Sequence, residues 1–61
     1  MQRDHRASNA ERDAVVRRLE RAMRDGRLTI DEFDERSQAA YAARTVGELK
    51  TLTEDLPPDL W

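Results

Sequence analysis

Leu28-Thr29-Ile30-Asp31-Glu32-Phe33 decides how this chain folds. Thr29 and Glu32 stand three apart in the pattern Ser/Thr-x-x-Glu, the spacing of a capping box. The hydroxyl accepts from the amide three residues on, and the carboxylate accepts from the cap's own amide. Leu28 just before the cap and Phe33 four residues after it occupy the two positions of a hydrophobic staple. Such a stretch predicts a helix beginning at Ile30. The same spacing recurs on either side, as Ser8-Asn9-Ala10-Glu11 and as Thr45-Val46-Gly47-Glu48. One match says little. Three, each opening a segment with helical spacing, predict three helices, with Thr29 the cap that counts most because it joins two of them.

The stops agree with the starts. Asp25-Gly26 ends the first helix, since Gly26 can take the left-handed conformation past a C-terminus. The second must stop near Ala43 or Arg44, because Thr45 is already the next cap. Leu56-Pro57-Pro58 ends the third, because a residue before proline avoids the α region. Helices are therefore predicted over about 9–25, 30–43 and 46–55. The domain runs over 8–57, with 1–7 a loose tail and 58–61 a C-terminal extension.

Each helix carries an apolar stripe: Val15, Val16, Leu19, Ala22 and Met23; then Ile30, Phe33, Ala40 and Tyr41, interrupted by Ser37; then Val46, Leu49, Leu52 and Leu56. Spacings of three, four and seven fit helices and exclude alternating strands. Helices this short are marginal alone, so the stripes must pack on one another. The fold class is all-α, a small three-helix domain with short connections. Tyr41 belongs at the core edge with its hydroxyl outward. A larger aliphatic at Ser37 should stabilise the packed stripe, if there is room for it.

Composition narrows the function. In 61 residues, 39% are charged, and there is no cysteine for a disulfide or a thiolate metal site. No apolar run approaches the roughly 20 residues of a membrane span, and the start lacks the apolar stretch of a signal peptide. A core built from about fourteen large apolar side chains leaves no room for a substrate pocket as well. His5, the single histidine, falls in the tail without a fixed partner, and makes a poor basis for catalysis or for zinc. The run Asp31-Glu32-Phe33-Asp34-Glu35 lacks the ligand spacing and central glycine of a calcium loop, and suits a helix N-terminus instead. No enzyme, no cofactor and no metal are expected.

Residues 1–27 hold eight Arg against five Asp and Glu, and residues 28–61 hold three basic against eight acidic. Halves of opposite sign favour head-to-tail or antiparallel contact between chains. Arg17, Arg21 and Arg24 share one helical face, flanked by Arg18 and Arg27. Asp13 stands four before Arg17 and Glu20 four before Arg24, the favourable orientation for intrahelical pairs, and Asp25 is within reach of Arg21. Leu60 and Trp61, beyond the two prolines, either fold back over the third helix or anchor a contact.

The ordered motifs Arg6-Ala7-Ser8-Asn9-Ala10-Glu11-Arg12, Gly26-Arg27-Leu28, Glu32-Phe33-Asp34-Glu35-Arg36, Ala39-Ala40-Tyr41-Ala42-Ala43-Arg44-Thr45, Glu48-Leu49 and Asp55-Leu56-Pro57 resemble the SHOCT-like domain of unknown function common in actinobacteria. The resemblance covers about Arg6 to Pro57. It implies a small helical module, usually N-terminal in a longer protein that often continues into a transmembrane or envelope-stress-type segment. It carries over no catalytic residue. Ser37 departs from it, since a large aliphatic is usual there, and the chain stops at Trp61 where relatives often continue.

The resulting expectation is a non-catalytic protein-interaction or oligomerisation module on the cytoplasmic side, possessing no membrane-inserting segment of its own. Its candidate surface is Arg17, Arg21, Arg24, Leu60 and Trp61, and its partner is a protein or a second copy. The alternative is weak nucleic-acid binding through the Arg face, which the net charge of −2 disfavours.

Overall fold

The computed structural model describes residues 5–56. They form three helices, α1 (Asn9–Arg24), α2 (Ile30–Ala42) and α3 (Val46–Thr51). All three capping boxes close, with both reciprocal hydrogen bonds present at Ser8/Glu11, Thr29/Glu32 and Thr45/Glu48.

Gly26 ends α1 at φ +80°. Its amide donates to the Met23 carbonyl at 3.0 Å, and the Arg27 amide donates to Ala22 at 2.9 Å. This is a Schellman closure, which needs the left-handed residue that glycine supplies. α2 then returns antiparallel to α1. At the far end of the pair, Arg12 Nε of α1 donates to the carbonyl of Ala43, just past α2, at 2.9 Å.

α3 is shorter than the spacing predicts, ending at Thr51. In a continuing helix the Leu52 carbonyl would accept from Leu56. It accepts instead from Arg36 of α2 at 3.0 Å, and the Leu56 amide turns to Thr53 at 3.1 Å. The Leu52 and Thr53 amides likewise donate three residues back, each at 3.1 Å, so the chain leaves α3 in tight turns.

The core is Val15, Leu19, Ala22, Leu28, Ala40, Ala43, Leu49 and Leu56, with Ala7, Val16, Met23, Phe33 and Leu52 packed against it. Alanines at 22, 40 and 43 keep the helices close. The stripe expected on α2 is narrower than its spacing suggests. Ile30 is 75% exposed and Tyr41 59% exposed. Ile30 is the first helical residue, where the staple partner Leu28 already fills the inward position. Ala40 takes the inward place beside Tyr41, so the ring stays outside.

Residues 5–7 lie beside the start of α3. Arg6 and Thr45 form an antiparallel bridge. The Ala7 amide donates to the Arg44 carbonyl at 2.9 Å, and the His5 carbonyl accepts from the Val46 amide at 2.8 Å. Val46 opens α3, so its amide has no partner within the helix, and the incoming segment supplies one.

Candidate functional site

Among the described residues, a groove of about 650 Å³ runs between α1 and α3, open to solvent. Val15 of α1, Val46 and Leu49 of α3, and Leu56 give it an apolar floor, with exposed Ala14 at its mouth. Glu11, Lys50 and Glu54 rim it with both signs of charge. α3 is only six residues long, and Thr53, Glu54 and Leu56 beyond it also line the groove.

Arg18 also lines this groove and is buried to 8%. Its spacing places it beside the Arg face, but it turns inward next to Val15 and Leu19, and burial lowers its pKa. A long guanidinium side chain can cover apolar surface with its stem, and no short-range motif announces that use.

The Arg face itself forms as a solvent-facing row. Arg17, Arg21 and Arg24 are all exposed. Of the three intrahelical pairs that the spacing predicts, one is made: Arg24 to Glu20 at 3.4 Å. Neither Asp13 nor Asp25 closes on its arginine, and among the described residues Arg17 and Arg21 have no ion-pair partner. Leu60 and Trp61 lie outside the described residues, so the expected five-residue surface is represented by its three arginines.

Other fixed polar groups serve the scaffold. Arg36 grips Asp55 with both terminal nitrogens, at 2.7 and 2.9 Å, besides holding the Leu52 carbonyl. This pairing raises the Arg36 pKa and lowers that of Asp55. Glu11 and Glu48 are held below the usual glutamate range, chiefly by the backbone amides they accept from at the caps. His5 is exposed and binds through its backbone. Among the described residues, no three His, Asp or Glu side chains gather as a metal site would require. No helix there is long and apolar enough to cross a membrane.

The class these features define is a small all-α domain with its hydrogen-bonded polar side chains at caps and inter-helix ties, an exposed arginine row on α1, and a groove open among the described residues. The DUF1707 SHOCT-like domain model matches residues 5–57, and the chain belongs to that family. It is similar to the uncharacterized protein Rv0048c of Mycobacterium tuberculosis, 43% identical over 51 residues, which is 84% of this chain and 18% of that protein. It is also similar to the uncharacterized protein Rv0966c of the same organism, 40% identical over 52 residues, 85% of this chain and 26% of the relative. The chain thus spans about a fifth to a quarter of the length of these curated relatives. No solved structure matches it.

Proposed function

We propose that this domain is a non-catalytic protein-interaction module that seats an apolar segment of a partner protein in the α1/α3 groove. The groove carries this reading: an apolar floor with a rim of mixed charge is the make-up of a docking surface, where apolar contact supplies affinity and charge sets register. Its openness speaks against chemistry that needs exclusion of water. The relatives' greater length supports a modular role; the proposed setting is the cytoplasmic side of a longer, envelope-associated protein.

Ala14, exposed at the mouth of the groove, provides the test. A photo-crosslinking residue placed there should capture a discrete protein in cells, and one placed at exposed Ala39 on α2 should not. The captured partner, purified, should bind the wild-type domain in calorimetry and lose binding to Ala14→Glu, with the melting midpoint unchanged. Binding indifferent to Ala14→Glu, or equal capture from both positions, removes the groove from the account.

A second reading, nucleic-acid binding by Arg17, Arg21 and Arg24, is favoured by the absence of intrahelical partners for the first two. Anisotropy with a short DNA duplex distinguishes it. Phosphate binding should weaken steeply between about 50 and 200 mM salt, whereas an apolar contact in the groove should change little.

A further inference from the structure

The regular placement of exposed charge on α1 and α2 says what one surface of this domain is complementary to. Arg17, Arg21 and Arg24 each stand two residues after an inward-facing position: Val15, Leu19 and Ala22. On α2, Asp31 and Glu35 stand two residues either side of Phe33, which packs against the core. Two residues are about 200° around an α-helix. Both rows therefore point away from the α1–α2 seam, in opposite directions. Arg17, Arg21, Asp31 and Glu35 are all exposed and make no ion pair among the described residues. The rows cannot neutralise one another within one molecule. A second copy can do it: Arg17 to Arg21 and Asp31 to Glu35 are both four-residue steps, rising about 6 Å along their helices.

We propose that copies of this domain associate head to tail, the arginine row of α1 on one copy lying against the carboxylate row of α2 on the next. The contact joins two different surfaces, so each copy keeps one free face at either end and assembly is open-ended. Exposed ion pairs are individually weak and are screened by salt. Association is accordingly weak and strongly dependent on ionic strength. On α1 the row borders the groove, Ala14 standing three residues before Arg17 and seven before Arg21, but the groove's other wall is α3 and the carboxylate row is on α2, so Lys50→Gln and Asp31→Asn/Glu35→Gln tell the two surfaces apart.

Sedimentation of the full chain tests this. Wild type should show mass rising with concentration, with apparent association at least about tenfold weaker at about 300 mM salt than at about 20 mM. Arg17→Gln/Arg21→Gln should be monomeric in low salt, and so should Asp31→Asn/Glu35→Gln. Mixed one to one, the two variants should form a dimer and nothing larger, because each retains one complementary face. Far-UV dichroism should show all variants folded, since the substituted side chains are exposed. Lys50→Gln, on the groove rim, should associate like wild type. A monomeric wild type at low salt, association that ignores salt, loss in only one of the two face variants, assembly beyond the dimer in the mixture, or loss with Lys50→Gln or Trp61→Ala would each overturn the proposal.

Discussion

Gly26 is the residue on which the α1–α2 hairpin turns. Its φ of +80° suits glycine, and a Cβ placed there would meet nothing within 4 Å. Substitution therefore costs conformational energy alone. Gly26→Ala should lose about 1 kcal/mol in chemical denaturation, and Gly26→Asn less, since asparagine tolerates the left-handed region. An alanine variant as stable as wild type would mean that the turn had changed shape. Ser37 poses the opposite case. Its Oγ is enclosed and has no hydrogen-bond partner. Ser37→Ala removes that unsatisfied group and favours the helix, so it should stabilise by about 1 kcal/mol. The leucine that the apolar spacing invites must find volume around an atom already enclosed, so Ser37→Leu should gain less than alanine, or lose. Parallel melts of the two variants check both; an alanine variant of lower midpoint would show the hydroxyl to be bound after all.

At the scale of elements, α3 asks for explanation, because six residues do not hold a helix in water. Glu48 Oε1 accepts from the Arg44 amide at 2.8 Å and the Thr45 amide at 3.0 Å, while Thr45 Oγ1 accepts from the Glu48 amide at 3.2 Å. The His5 carbonyl takes the next amide, and Arg36 ties down the far end. Weight thus shifts from Thr29 to Thr45: Thr45→Ala should cost about 1–2 kcal/mol, more than Thr29→Ala or Ser8→Ala. Equal losses in the three denaturation curves would refute that ranking. The same ties fix a direction with pH. Glu48 titrates below its ordinary 4.5 and Asp55 below 3.8. Groups depressed in the folded state stabilise fully above their unfolded values, and that contribution disappears as pH falls through the lowered folded ones. Stability should therefore hold near neutrality and decline below about pH 5, and Arg36→Ala should flatten the Asp55 share of the decline. A profile unchanged by Arg36→Ala would detach Asp55 from it. The caps were legible because their bonds span three residues. Arg36 to Asp55 spans nineteen and Arg12 to Ala43 thirty-one, and no local spacing foretells either. The same distance hid the inward turn of Arg18, which depends on α3 lying where it does.

For the whole molecule, the decisive quantity is how little apolar volume is fully enclosed. The helical stripes foretold which elements pack, but Ile30 and Tyr41 stay outside while alanines fill the seam, so the core is thinner than the sequence suggests. Leu19 is the one large side chain completely removed from solvent among the described residues. It sits mid-α1, in the same buried cluster as Leu28, Ala40 and Leu49, which come from α2, α3 and the turn before α2. Leu→Ala at such a site costs about 2–5 kcal/mol, through lost transfer energy and the cavity left behind. A single core of this size supplies about 3–5 kcal/mol in all. The two figures overlap, so Leu19→Ala should leave the isolated domain largely unfolded at 25 °C, whereas truncating Val16, half-buried on the same helix, should leave it folded but less stable. Far-UV dichroism distinguishes the outcomes directly. A Leu19→Ala domain that keeps its helicity and a cooperative melt would show that stability comes less from this core than from the caps and the Arg36 tie.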